Sequence, residues 1–171
     1  MKAPPPLPAD ILGRVRRVGR YHGTCVTAVA GLFAVASLFM RDWLGATVGL
    51  MVAGGGALEM RGASLLGSDA RVGFRFMIVS QIWVLVSILG YIVWRLGHPD
   101  PLMLDLLRTG LREEQRQQLR DVGVSEIEFL RIVLRFFYFV LGFVCTLYQG
   151  GMAFFYVRQR AAVSRTVAGQ S

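Results

Sequence analysis

The stretch from Phe136 to Val157, FFYFVLGFVCTLYQGGMAFFYV, contains 22 residues and no charged side chain. A helix rises about 1.5 Å per residue, so this stretch is long enough to cross a hydrocarbon core about 30 Å thick. It is too long for a transmembrane β-strand, which needs only about 9–11 residues. We therefore predict a membrane-spanning helix here.

Three further uncharged runs precede this stretch, at residues 21–40, 43–58 and 76–94. With their flanks they predict a four-helix transmembrane domain over residues 21–157, with spans at 21–40, 43–60, 76–95 and 133–157. The second run is only 16 residues long and reaches about 24 Å as a helix. We expect local bilayer thinning and snorkelling of Glu59 and Arg61 to make up the difference.

The composition of the chain agrees with this class. Of its 171 residues, 54% are hydrophobic and 18% are charged, and the mean hydropathy is +0.49. A soluble domain carries about 45–50% apolar and about 25% charged residues. The sequence therefore predicts an all-α, polytopic membrane protein.

The charges predict how the chain is oriented. Basic residues exceed acidic ones by four in residues 1–20, by one in residues 59–75 and by three in residues 158–171, which accounts for the whole net charge of +8. The other connections are neutral. By the positive-inside rule, both termini are cytoplasmic, as a basic, proline-rich tail over 1–20 and a basic tail over 158–171. We expect Pro4 to Pro8 to be extended.

Aromatic residues near the span ends fit this arrangement. A ring with a polar tip is favoured at the membrane–water interface. The sequence therefore predicts interfacial positions for five aromatic residues, Tyr21, Trp43, Trp94, Tyr138 and Tyr156.

The outer connection, residues 98–132, is too long for a bare loop and predicts an additional amphipathic helix from Leu102 to Asp121. Its apolar stripe contains Leu104, Leu107 and Leu111, and its basic band contains Arg108, Arg112, Arg116 and Arg120. Gly123 predicts the end of this helix, and Ser125 with Glu128 matches a capping box that begins the last one. The stripe either lies on lipid or covers the bundle or a partner subunit.

Small residues recur every four positions in two spans. Such rows let helix backbones approach closely. The predicted packing residues are Gly45, Gly49 and Ala53 in the second span and Gly142, Thr146 and Gly150 in the fourth. Packing within one chain is the favoured interpretation, and a homodimer face is the alternative.

Polar residues within the spans are the candidates for function. Thr27, Glu59, Gln81 and Gln149 are predicted to form a polar layer in the cytoplasmic half of the bundle. Interhelical hydrogen bonding is the favoured role of this layer, and a substrate or ion site is the alternative.

The sequence offers no catalytic, metal or cofactor site. The two histidines, His22 and His98, are predicted at opposite faces of the membrane, so they cannot share a zinc ion. Cys25 and Cys145 are single, unlike the paired cysteines of thiol-oxidising membrane enzymes. The basic residues fit membrane flanks better than a nucleic-acid groove.

In length and layout the chain resembles the small four-span proteins of bacterial inner membranes, without a diagnostic motif. We therefore expect an inner-membrane protein without catalytic residues, acting as a structural, accessory or regulatory component. A small transporter or channel subunit is the alternative, and a lipid-interacting enzyme is a third. The expected partners are the lipid bilayer and another membrane protein or a second copy of the chain, but no nucleic acid.

Overall fold

A computed structural model of the chain describes residues 8–98 and 101–168. Every regular element in these ranges is a helix. The helices are α1 (Pro8–Phe39), α2 (Trp43–Leu65), α3 (Ala70–Gly97), α4 (Pro101–Thr109), α5 (Glu113–Val122) and α6 (Glu126–Ala168). Four of them, α1, α2, α3 and α6, are long and apolar enough to cross a membrane, which confirms the predicted all-α class with four such helices. Of the stretch predicted to be extended, residues 4–7 lie outside the described residues, and the prediction is wrong for Pro8, which begins helix α1.

All four long helices extend beyond the predicted spans, and two of them bear on the predictions. Helix α1 begins at Pro8, so residues 8–20 of the predicted basic tail are helical and continuous with the first span. A proline is well suited to the first turn, where its missing N–H has no helical partner. Helix α2 continues past Glu59 and Arg61 to Leu65, and its 23 residues are about 34 Å long. The expected thinning is therefore unnecessary, and snorkelling is wrong for Glu59, which is buried.

The connection between α1 and α2 contains only Met40, Arg41 and Asp42. Arg41 adopts a left-handed conformation with φ of 57°. The Asp42 carboxylate accepts a hydrogen bond of 2.9 Å from the Gly45 N–H, which caps the first turn of α2. The two helices therefore form an antiparallel hairpin with a tight, capped turn.

The chain divides into two compact units. The first contains the described residues up to Ile88 and from Cys145 onward. One hydrophobic cluster in it joins α1, α2, α3 and α6 through Val15, Ala63, Leu66, Phe74, Met77 and Tyr156. A second, smaller cluster joins α1, α2 and α3 through Ala30, Val52 and Val84.

Glycines set the separation of helices in this first unit. A Cβ atom added to Gly56 of α2 would lie 2.7 Å from the carbonyl oxygen of Gly23 on α1. Likewise, a Cβ on Gly62 of α2 would lie 2.9 Å from the carbonyl oxygen of Gly73 on α3. At both pairs the two backbones are in direct contact, and no side chain would fit between them. Helix α2 is therefore in close contact with both α1 and α3.

The second unit covers Leu89–Val144. The single helix predicted from Leu102 to Asp121 is wrong, because two short helices, α4 and α5, occupy this segment. Gly110 is costly within a helix, and α4 ends just before it, at Thr109. The side chain of Gln115 then accepts a hydrogen bond of 3.0 Å from the Arg112 N–H, which begins a separate helix.

The sequence predicts a helix end at Gly123 and a helix start at Ser125, and both positions are confirmed. Gly123 has a φ of 73° and closes α5 with a left-handed residue, as glycine does most readily. The Ser125 hydroxyl accepts a hydrogen bond of 3.2 Å from the Glu128 N–H and so caps the start of α6. Helix α6 then runs without interruption for 43 residues.

Candidate functional site

A buried carboxylate connects three helices of the first unit. Glu59 on α2 is only 1% exposed. Its Oε2 atom lies 2.6 Å from Nδ1 of His22 on α1, and its Oε1 atom accepts a hydrogen bond from the Tyr156 hydroxyl on α6. We call these three residues the Glu59 cluster.

The helix faces explain why these side chains meet. Val15, Gly19 and His22 are four and three residues apart, so they share the face of α1 that is turned toward the bundle. A Cβ atom on Gly19 would clash with the side chain of Met77 on α3 and lie 3.3 Å from Cβ of Ala63 on α2. The absence of a side chain at Gly19 therefore lets α1 pack closely against α2 and α3 beside the Glu59 cluster.

The hydrogen bonds define how protons can be arranged in the cluster. With Glu59 ionised, both of its oxygens are acceptors, so Nδ1 of His22 carries a proton and donates it. A buried carboxylate without such partners would be costly, and here both oxygens have one. The other ring nitrogen, Nε2 of His22, is buried and has no hydrogen-bond partner among the described residues.

An aromatic ring lies beside His22. The ring centroid of Tyr148 on α6 is 5.4 Å from that of His22, at an angle of 43°. Tyr148 itself is 55% exposed. Helix α6 therefore contacts the Glu59 cluster at two levels, through Tyr156 and through Tyr148.

The four residues of the predicted polar layer have different environments. Glu59, Gln81 and Gln149 are buried, and the Oε1 atoms of both glutamines have no hydrogen-bond partner within the described ranges. Thr27 is half-buried, and its hydroxyl donates to the carbonyl oxygen of Ala53 at 3.2 Å. Thr27 and Glu59 therefore both form side-chain hydrogen bonds across helices, and the partners of both are residues outside the predicted set.

The two partners of Glu59 were missed for different reasons. Tyr156 was predicted to be an interfacial anchor, and this is wrong because its side chain is fully buried. His22 was considered only as a metal ligand. One signal could have found it: His22 lies 19 residues before Arg41 and Glu59 lies 18 after it, so a hairpin with a turn at Arg41 places them at the same height.

The predicted packing residues also fall into two groups. In α2, Gly45 and Gly49 are buried and Ala53 is half-buried, and a Cβ on Gly49 would lie 2.9 Å from backbone atoms of Ala34 on α1. In α6, Gly142 is buried, whereas Thr146 and Gly150 are exposed. The row in α2 thus faces another helix of the same chain.

The residues of the outer connection belong to the second unit. Leu104, Leu107 and Leu111 are half-buried. Arg108 pairs with Glu126 and Arg120 pairs with Glu113, each at 2.9 Å, while Arg116 donates to the carbonyl oxygen of Arg108. Arg112 is exposed. Two of the four arginines of the basic band therefore have a carboxylate partner nearby.

The Arg120 guanidinium also changes the acidity of its partner. The hydrogen bond from Arg120 lowers the pKa of the Glu113 carboxyl below its usual value of 4.5. Both side chains are largely exposed, so the pair contributes little to stability.

No known protein family, curated protein or solved structure matches this chain.

Proposed function

We propose that the chain is a multi-pass protein of the inner membrane, with both termini in the cytoplasm, and that it acts without catalysis as a structural, accessory or regulatory component. The four long apolar helices and the one-sided excess of positive charge support the membrane location and the orientation. Reporter fusions after Ala161 and after Glu113 test the topology: the first should be retained in the cytoplasm and the second should be exported.

The burial of Glu59 and its two hydrogen bonds are the observation that supports the proposed structural role. A carboxylate that carries an ion or substrate must be reachable and must exchange partners during transport. Glu59 is almost completely buried, and both of its oxygens are hydrogen-bonded to other helices. This arrangement suits a group that holds helices in one packing arrangement.

Variants of Glu59 test this role. In Glu59→Leu, the polar groups of His22 and Tyr156 lose their partner while buried, which is costly. We expect a strong loss of thermal stability in detergent for Glu59→Leu and a smaller loss for Glu59→Gln, which keeps an acceptor. An unchanged melting temperature in Glu59→Leu would contradict a structural role for the cluster.

Native mass spectrometry after gentle extraction tests the accessory role. We expect the wild-type chain to co-purify with another membrane protein or a second copy of itself. We expect that complex to be lost in Glu59→Leu under conditions where the variant remains helical. Recovery of the wild-type chain as a monomer without partners would contradict this role.

A second candidate is a small transporter or channel subunit. It is favoured by three buried polar atoms without hydrogen-bond partners in the described part of the chain, namely His22 Nε2, Gln81 Oε1 and Gln149 Oε1. Buried polar atoms are usually satisfied by protein or ordered water, so their number in one unit needs an explanation. A water-filled path through the polar layer would provide one.

Labelling of a cysteine at position 149 distinguishes the two candidates. In a chain with Cys25→Ser and Cys145→Ala, Gln149→Cys should resist a membrane-impermeant maleimide if the layer is structural. Rapid labelling would favour the transport candidate. Gln81→Leu is complementary, since unchanged thermal stability together with lost transport activity would also favour transport.

A further inference from the structure

A shallow, open basic cleft lies along residues 13–25 of α1, which is about the second to the fifth turn of this helix. It has a volume of about 640 Å³, and its lining includes Arg16, Arg17, Arg20, Tyr21 and Thr24. These residues lie on the opposite side of α1 from the buried Val15 and His22, given 100° of rotation per residue. The cleft lies on the exposed side of α1, and at one edge it meets α2, where the Thr24 hydroxyl donates to Sδ of Met60 at 3.2 Å.

The arginines of this cleft are available to bind a ligand. Arg16, Arg17 and Arg20 are exposed, and none of them forms an ion pair with another described residue. In the outer connection, by contrast, Arg108 and Arg120 each have a carboxylate partner. The cleft thus concentrates three positive charges without a carboxylate partner in the described part of the chain, which favours an anion.

The character of the same helix face changes beyond the cleft. After Tyr21 and Thr24 it presents Ala28, Leu32 and Val35; Leu32 is 71% exposed and Val35 is 50% exposed. The distance along the helix from Tyr21 to Leu32 is about 16 Å, which is close to half of a hydrocarbon core of about 30 Å. The face is therefore charged over one region and apolar over the depth of a single leaflet.

We propose that this face of α1 binds an anionic phospholipid. Guanidinium groups form paired hydrogen bonds with phosphate, so Arg16, Arg17 and Arg20 hold the headgroup. Tyr21 lies at the level of the ester groups, and an acyl chain follows Leu32 and Val35. A free phosphate would use the arginines but not the apolar surface, so continuity with that surface points to a lipid.

The proposal requires that the chain lies in a bilayer, but it is independent of whether the polar layer is structural or transports a substrate. If experiments ruled out either the structural or the transport role of Glu59, the proposal of lipid binding would be unaffected. The experiment below therefore measures lipid binding alone.

Lipid titration of the purified full-length chain in neutral detergent tests the proposal, with bound lipid counted by native mass spectrometry. The cleft variant is Arg16→Gln with Arg17→Gln and Arg20→Gln. The control variant is Arg158→Gln with Arg160→Gln and Arg165→Gln, which removes the same charge from exposed positions near the end of α6. The probes are phosphatidylglycerol, phosphatidylcholine and inorganic phosphate.

We expect wild type and control to bind phosphatidylglycerol in preference to phosphatidylcholine. An arginine near an anionic membrane surface contributes about fivefold to affinity. The cleft variant should therefore bind phosphatidylglycerol at least tenfold more weakly. The single variants Arg17→Gln and Arg20→Gln should each show a loss of about fivefold, so the test does not depend on the folding of the triple variant.

Three results would overturn the proposal. Equal losses of phosphatidylglycerol affinity in the cleft and control variants would show that only the net charge of the chain matters. Equal affinity for phosphatidylcholine would show that the headgroup charge is not recognised. Displacement of phosphatidylglycerol by an equimolar amount of inorganic phosphate would identify the cleft as a free-anion site.

Discussion

His22 on α1 and Glu59 on α2 lie 2.6 Å apart, through Nδ1 and Oε2, at the end of the hairpin that is remote from its turn. Both side chains are buried, so the hydrogen bond forms where water cannot compete. The bond fixes the rotation of α1 relative to α2. The hydroxyl of Tyr156 extends this constraint to α6.

Removal of the Tyr156 hydroxyl should weaken the bundle. Tyr156→Phe leaves one oxygen of Glu59 buried without a donor, which costs about 1–3 kcal/mol. Thermal unfolding in detergent, followed by circular dichroism, measures this loss. Tyr21→Phe is the control, because Tyr21 is 77% exposed, and its melting temperature should match wild type. Equal melting temperatures in both variants would contradict the role of the hydroxyl.

Two glycines two positions apart in α2 should respond oppositely to a methyl group. In Gly56→Ala the new Cβ meets the carbonyl oxygen of Gly23 at 2.7 Å, so α1 and α2 must separate, at a cost of about 1–3 kcal/mol. In Gly54→Ala the Cβ meets nothing within 4 Å, and the higher helix propensity of alanine should leave stability equal or raised. Comparison of the two melting temperatures tests this. A loss in Gly54→Ala as large as in Gly56→Ala would mean that the tight contact is not the cause.

The outer connection offers a matched test of its apolar stripe. Leu107 and Leu111 are half-buried, whereas Leu106 is 54% exposed. A charge placed in the stripe must be desolvated, so Leu107→Glu with Leu111→Glu should reduce the yield of folded protein in detergent. Leu106→Glu should give a yield close to wild type. Wild-type yield from the double variant would show that the stripe is not packed.

Low pH should reduce the stability of helix α5, because it protonates Glu113. Because Arg120 lowers the pKa of Glu113 in the folded chain, ionised Glu113 supports the fold above pH 4.5, and this support is lost as the pH falls through the lowered value. Hydrogen exchange of the α5 amides should therefore be more protected at pH 6 than at pH 3, once the intrinsic exchange rates are corrected for pH. The pair is exposed, so the effect should be small, and Glu113→Gln should abolish the difference. An identical pH dependence in Glu113→Gln would assign it to other groups.

The four long helices could be predicted from the sequence because long uncharged apolar runs leave few alternatives. The residues at which these helices begin and end could not be predicted. Span prediction stopped α2 near Glu59 as the first charged residue, yet partners on two other helices allow that charge to lie inside the bundle. The break between α4 and α5 was missed because the apolar stripe continues across Gly110, although the helix does not.

The candidate site could be predicted only in part. The sequence identifies Gln81 and Gln149 as polar residues within apolar runs and Glu59 as a charge at the edge of the second run, and all three are buried. Their partners depend on how each helix is rotated about its axis. Phe154, Phe155 and Val157 surround Tyr156 in the sequence, and charged residues begin at Arg158, so the sequence predicts an interfacial position for Tyr156 and not a buried one.

The tight hairpin of α1 and α2 also has a consequence for biosynthesis. Its turn is three residues long and capped by Asp42, and its contacts at Gly23 with Gly56 and at Gly49 with Ala34 involve these two helices alone. Once residue 65 has left the ribosome, the hairpin has the parts it needs to close by itself. Nascent α3 and α6 can then be added to an existing template.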